Sequence, residues 1–403
     1  MAILPFLLVV LAVAFYFTTA EERLRIIRAV PPLFRRASHA AAQRVPKRDA
    51  FDDALGARTR WAIVAPALAI VTVAVFIGEA SGDGAVGDPA TLVAWGANFG
   101  PRTTNGEWWR LVTGTFVHSG MFALLVNMAV LVQLGLVLER LVGHLTFALV
   151  YIASGVAGSL ATLYPHRVAV ITDASAAAAG LYGLFLASLV WTFIRRGELT
   201  IPLGALKKLA PVAAVFALVQ LAGGNESSGA VVVGFLTGGV CGCVLTTEVA
   251  DRKPRAARLA ATAGAVLTIA AASGVPLRGV TDVRPELERV VALEQRTVPA
   301  YEAAVEQFKL GRMKPEALAK LIERTIVPEV QAVRARLNNI GGVPPEHQAL
   351  VADATEYLRL RDESWRLRAQ ALQKHNMLLL READRKEQAA LHAFERVRPS
   401  STP

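Results

Sequence analysis

Two cysteines in 403 residues, Cys241 and Cys243, are too few for a disulfide framework or a four-ligand zinc site, and they sit together in an apolar run. Charge is scarce as well. Only 19% of residues are Asp, Glu, Lys or Arg, whereas 53% are apolar, and the mean hydropathy is +0.40. Such a chain is neither disordered nor collagenous, and it reads as a polytopic membrane protein. Histidine is missing from one long stretch: none occurs between His166 and His347. The net charge of +10 does not point to nucleic acid. Its basic excess lies largely in short segments beside apolar spans, which is the positive-inside pattern.

Residues 2–19 form an uncharged run long enough to cross a bilayer as a helix. Thr18-Thr19-Ala20 weakly resembles a signal cleavage site, the alternative reading. Against it, no basic residue precedes the run, and Arg23, Arg25, Arg28, Arg35, Arg36, Arg44, Lys47 and Arg48 follow it. The run is therefore read as a retained anchor (1–20) leading into a basic cytoplasmic segment (21–60). Further spans are expected at about 61–79, 114–137, 145–164, 174–194, 209–222, 229–247 and 259–277. Arg140 and His144, then Arg195, Arg196, Lys207 and Lys208, then Arg252, Lys253, Arg255 and Arg258 fall on the side of the first basic segment. That orientation gives eight spans with both termini outside.

Beyond about residue 281 the pattern changes. Apolar residues recur at three- and four-residue spacing among charges of both signs, the pattern of solvated helices. Pro285 and Pro315 sit where first-turn prolines are tolerated. Asn338, Asn339, Gly341, Gly342, Pro344 and Pro345 form a break. Three helices are expected, at about 285–310, 315–338 and 345–397. The last, if unbroken, would reach about 80 Å and leave room for a partner protein.

The most specific segment runs from Gly106 to Gly143. Trp109-Arg110 precede a span that His118 opens, with Asn127-Met128 inside it and Gly135 and Glu139 near its end. Tyr151, Gly155, Gly158, Asp173-Ala174-Ser175-Ala176 and Gly180-Leu181-Tyr182-Gly183 follow. In the order and spacing of these landmarks the chain resembles the rhomboid family of intramembrane serine proteases, over about residues 61–247. The resemblance implies an all-α, six-span membrane core, here with one extra span on each side: the anchor at 1–20 and a basic loop plus span at 248–280. The soluble helical domain at 281–403 is expected outside the cytoplasm, and the membrane is expected to be a bacterial inner (plasma) membrane.

The family chemistry is a Ser–His dyad in a water-filled cavity. The base takes the serine proton, and an Asn and a His one turn apart on one helix face donate to the oxyanion. Carried over by position, Ser175 keeps the nucleophile site and Gly180, Leu181 and Gly183 match, but Asp173 and Ala176 replace the two glycines flanking the serine. Asn127 is kept as oxyanion donor, whereas its histidine partner is Ala123. The base position falls on Val231, in Ala230-Val231-Val232-Val233-Gly234-Phe235-Leu236-Thr237-Gly238. No shift of alignment restores a histidine there. Without its base a serine loses nearly all its rate advantage. Asp173 is a weak substitute unless its pKa is strongly raised, and His118 lies five residues before Ala123.

The residues also admit plain structural roles. Ser175 begins a small-residue run suited to close helix packing, and Asn127 suits a hydrogen bond between helices. Trp109-Arg110 and Glu139 are read as anchors of a loop and of a helix end. The expected function is a rhomboid-like pseudoprotease that binds or scaffolds transmembrane clients, with an active serine endopeptidase using Ser175 and a non-standard base as the alternative. Expected partners are the lipid bilayer, transmembrane-helix clients and a protein partner of the C-terminal helical domain. No nucleic acid, metal or organic cofactor is expected.

Overall fold

The computed structural model describes residues 55–82, 85–172, 174–196, 203–222, 225–246 and 254–397. The anchor expected at 1–20, most of the basic segment at 21–60, and Asp173 lie outside the described residues. The chain divides into two compact units, 1–278 and 279–403, each with its own apolar core.

The first unit is built on α1 (Val64–Ser81), α5 (Met121–Val142), α6 (His144–Leu163), α7 (Ala174–Arg196), α8 (Leu203–Ala222), α9 (Asn225–Leu245) and α10 (Ala256–Gly274). Between α1 and α5 lie three short helices, α2 (Pro89–Ala94), α3 (Gly100–Thr103) and α4 (Arg110–Thr113), and strand β1 (Asn98–Phe99). That strand pairs antiparallel with β2 (Val170–Ile171), placing Asn98 opposite Ile171. Among the described residues, six helices are long and apolar enough to cross a membrane: all of the long ones except α8, whose apolar part is Leu209–Ala222. Large apolar side chains point outward, among them Ile70, Leu145, Leu221, Val240 and Leu267. This is the arrangement for a protein whose solvent is lipid, where the backbone must satisfy itself within helices. The protein is an integral membrane protein of all-α class.

Two expected boundaries move. The span expected from residue 114 begins at Met121. Residues 110–120 instead form α4 and a turn, held by Thr113 Oγ1 donating to the Gly96 carbonyl (2.7 Å) and Thr115 Oγ1 to that of Val112 (2.6 Å). His118 is thereby taken out of the helix. Conversely, α8 starts at Leu203, ahead of the expected 209. Pro211 sits inside it, and its missing N–H is tolerated where neighbouring helices support the backbone.

Inside the bundle, glycines bring α7 and α9 into main-chain contact. A Cβ built on Gly234 would lie 2.2 Å from the Ala176 carbonyl oxygen, and one on Gly238 would lie 2.0 Å from that of Gly180. The same four-residue step on both helices means that α7 and α9 run parallel, with Ala176 level with Gly234. Small residues are the usual device for such approach in membranes.

The second unit contains α11 (Arg284–Lys309), α12 (Pro315–Leu321), a π turn (Ile322–Ile326), α13 (Val327–Asn338), α14 (Gln348–Lys374) and α15 (Met377–Val397). The long helix expected over 345–397 is broken. His375 adopts a left-handed conformation (φ 49°), and the Asn376 side chain accepts from the Leu378 N–H (2.9 Å), starting α15 anew. Helices α14 and α15 then fold against each other rather than extending into solvent. Their interface buries Arg361, which bonds Glu294 of α11 (2.7 Å) and Glu387 of α15 (2.6 Å), and Arg368, which bonds Asp384 (2.6 Å) and Glu387 (2.7 Å). Buried guanidinium groups need such forked partners to offset the loss of water.

Candidate active site

The anchors come first, since they set where the other residues stand. Arg110 is buried and donates from Nη1 to the carbonyls of Val93 (2.6 Å) and Ala97 (3.1 Å) and from Nε to Glu107 (2.5 Å). It ties the α2–β1 loop to α4. Glu139, fully buried near the end of α5, accepts from the N–H groups of Ile63, Val64 and Ala65, each at 2.7 Å, and contacts His144 Nδ1 at 2.5 Å. These N–H groups open α1, so the carboxylate sits at the positive end of that helix. Both residues have the anchoring roles expected of them.

Ser175 occupies the first turn of α7 and is half-buried. Its neighbour Ala176 is fully buried. A Cβ on Gly158 of α6 would lie 2.3 Å from the Ala176 methyl and 3.3 Å from the Ala230 carbonyl oxygen. Helices α6, α7 and α9 thus converge on Gly158, Ala176 and Ala230. Ser175 and Val231 are each adjacent in sequence to a member of this junction. The side chain at Val231 is a half-buried isopropyl group packed against the main core, and it can neither accept nor hold a proton.

Asn127 and His118 meet elsewhere. Asn127 is buried on α5, and its Nδ2 lies 3.3 Å from His118 Nε2, while His118 Nδ1 lies 3.3 Å from the Phe116 carbonyl oxygen. A carbonyl only accepts, so Nδ1 carries the hydrogen. Nε2 must then accept from the Asn127 amide, which makes the imidazole neutral. One face of Asn127 is committed to this bond, and the His118 lone pair that a base needs is occupied. Among the described residues, no imidazole is hydrogen-bonded to Ser175. Ala123 lies one turn before Asn127 on α5 and is half-buried. It contributes no donor.

The sequence reading missed two polar groups. Glu79, near the end of α1, is buried beside the main-chain N–H of His118, and its carboxylate oxygens make no hydrogen bond of ordinary geometry among the described residues. Gln220 of α8 buries an Nε2 that also has no partner there. Two apolar clefts accompany them. One, of about 230 Å³, lies between α5 and α8 and is lined by Val126, Ala129, Pro211 and Val215. The other, of about 430 Å³, is an open groove lined by α7, α8 and α9, with Val231 in its wall.

Known proteins share this segment. The family model of the Rhomboid domain matches residues 105–248. YdcA of Bacillus subtilis (strain 168) is 36% identical over 102 residues, 24% of this chain and 50% of the relative. Rhomboid protease GluP of the same organism is 42% identical over 72 residues, 18% of this chain and 14% of the relative. Inactive RHOMBOID-like protein 8 of Arabidopsis thaliana is 37% identical over 95 residues, 23% of this chain and 27% of the relative. The matched segments thus span half or less of these relatives' lengths.

Proposed function

Since the chain is a rhomboid-family protein whose rhomboid domain occupies residues 105–248, we propose that it is a pseudoprotease, binding or scaffolding transmembrane clients without cutting them. One observation carries this reading. The base position carried over by the resemblance falls on Val231, and the imidazole of His118 spends its lone pair on Asn127. A serine hydroxyl with no proton acceptor is a poor nucleophile, and removing one member of a catalytic unit costs about as much as removing all of it. Relatives named both as proteases and as inactive are compatible with this reading.

The apolar cleft between α5 and α8 supports client binding, because a client helix entering from the bilayer meets no unpaired charge there. The basic connections support an inner-membrane protein with residues 279–403 outside the cytoplasm. On that second unit, Met377, Leu378 and Leu391 of α15 are exposed, which supports a protein partner for it.

The second reading, an active endopeptidase with a non-standard base, is favoured by the retention and partial exposure of Ser175. Cleavage of a model transmembrane substrate in liposomes decides between them. The pseudoprotease reading expects no product from the wild type. Product that disappears in Ser175→Ala would establish the active enzyme instead.

A further inference from the structure

Two turns at one end of the second unit carry exposed apolar side chains among cations that no ion pair holds. Arg361 of α14 bonds Glu294 of α11 (2.7 Å), and further along the same two helices Tyr301 packs edge-on against Trp365, ring centroids 4.8 Å apart. Helices α11 and α14 therefore run parallel. Nine residues on from Tyr301 and Trp365 stand Leu310 and Lys374, about 14 Å further along each helix. The α11–α12 turn (309–314) and the α14–α15 turn (374–378) thus close the same end of the unit. Leu310, Met377 and Leu378 stand exposed there. Segments 309–314 and 374–381 also hold Lys309, Arg312, Lys314, Lys374 and Arg381, and no acidic residue. Lys309 pairs with Glu306 (2.7 Å). The other four are exposed, and none of them forms an ion pair among the described residues. Elsewhere on the unit Arg284, Arg289, Arg359 and Arg396 each bond a carboxylate. The exposed acids that follow the two turns, Glu316 and Glu382, are balanced by exposed Lys320 and Arg385.

We infer that this end is a docking surface for an anionic phospholipid bilayer, with Leu310, Met377 and Leu378 entering the headgroup region and the four unpaired cations around them meeting lipid phosphates. An interfacial membrane contact draws on buried apolar area and on attraction of Lys and Arg to anionic headgroups, and this end supplies both. The long basic stems let the charges stay at phosphate depth while the apolar tips go deeper. Area argues against a protein as the occupant. Three apolar side chains on two turns fall well short of the roughly 800 Å² per partner of a standard interface. Leu391, 13 residues beyond Leu378 and about 20 Å further along α15, stands apart from this end and is left for a protein partner. The inference depends neither on cleavage at Ser175 nor on the side of the membrane that the unit occupies.

The test uses the full chain in phosphatidylcholine nanodiscs, mixed with liposomes of phosphatidylcholine alone or with an equal part of phosphatidylglycerol, and floated on a density gradient. The wild type should float with the anionic liposomes and stay behind with the neutral ones. Rising salt should release it, since exposed charges are screened. Lys374→Gln with Arg381→Gln should weaken binding about thirtyfold, the equivalent of about 1 kcal/mol for each basic residue at an anionic surface. Arg336→Gln, which removes an exposed cation in the last turn of α13, should leave binding unchanged. Met377→Ser with Leu378→Ser should weaken binding, and Leu391→Ser should not. All these positions are exposed, and equal melting of the variants and the wild type checks that the fold is kept. Leu378→benzoylphenylalanine, irradiated on anionic liposomes, should give adducts of phosphatidylglycerol mass. Equal flotation with both kinds of liposome would overturn the surface. So would binding that survives Lys374→Gln with Arg381→Gln, which would assign it to the basic connections of the first unit. Photo-adducts on protein in place of lipid would replace the bilayer by a protein partner.

Discussion

Replacing Gly238 by alanine tests the main-chain contact that packs α9 against α7. The added methyl would lie 2.0 Å from the Gly180 carbonyl oxygen and 2.6 Å from the carbonyl carbon and Cα of the same residue, where an ordinary contact begins at 3.4 Å. Relief therefore requires about 1.4 Å of separation between two main chains, since no side chain can rotate away. Packed interiors do not absorb such a shift. Overpacking costs about 1–3 kcal/mol, and a clash between main chains belongs near 3. Gly264 supplies the control. It also lies in a membrane helix, α10, but nothing lies within 4 Å of a Cβ built there, so Gly264→Ala should be neutral or slightly stabilising. Thermal unfolding of both variants in the same detergent checks the argument. Gly238→Ala should melt several degrees lower than wild type, by about 2–4 °C for each kcal/mol lost, and Gly264→Ala should not. Equal melting of the two variants would refute the parallel α7–α9 contact.

Other consequences are equally open to measurement. Burial alone would push the Glu387 carboxyl up, but hydrogen bonds and charge from Arg368 and then Arg361 outweigh it and hold it below its usual 4.5. A carboxyl lowered by folding contributes stability that is present above its unfolded value and lost as pH falls through the folded one. Hydrogen exchange in α14 and α15 of the full chain should therefore quicken as pH drops below about 4.5, and Glu387→Gln should reduce that dependence. Ala123→His with Val231→His would restore a base and an oxyanion donor, yet it should not yield cleavage of a transmembrane substrate. The Ala176 methyl still fills the junction with Gly158, and Asp173 still replaces a glycine. A misplacement of about 1 Å can cost a hundredfold in rate. Cleavage should appear only when Asp173→Gly and Ala176→Gly are added, and cleavage by the double variant alone would disprove the role of the glycines. A reporter active only outside the cytoplasm should signal when fused after Pro403 and stay silent when fused at Ala50. The reverse result would invert the topology.

Most of the fold is legible in the sequence, because a bilayer makes span length and charge placement nearly sufficient. Local exceptions come from interactions that apolarity does not encode. Residues 111–117 are nearly as apolar as the span after them, and the turn that separates them is made by the hydroxyls of Thr113 and Thr115. The break at His375 escapes notice because histidine is a poor flag for a left-handed residue, even with Asn376 next to it. In the site, the packing of α7 beside α9 follows from the resemblance to the rhomboid family, and the glycines at 234 and 238 are where the two main chains meet. The bond between His118 and Asn127 is not legible, since they are nine residues apart and one of them lies in a turn. The buried amide of Gln220 and the buried carboxylate of Glu79 are equally illegible. In a helix that is apolar on every side, sequence does not say which face is inward.

The state of the Ser175 hydroxyl tests the central claim most directly. Purified wild type and Ser175→Ala, reconstituted in phosphatidylcholine liposomes, are treated with a serine-reactive fluorophosphonate and scored for covalent label. With Val231 at the base position and His118 bonded to Asn127, the two proteins should label equally weakly. Strong labelling of the wild type that is lost in Ser175→Ala would show an activated nucleophile and contradict the account.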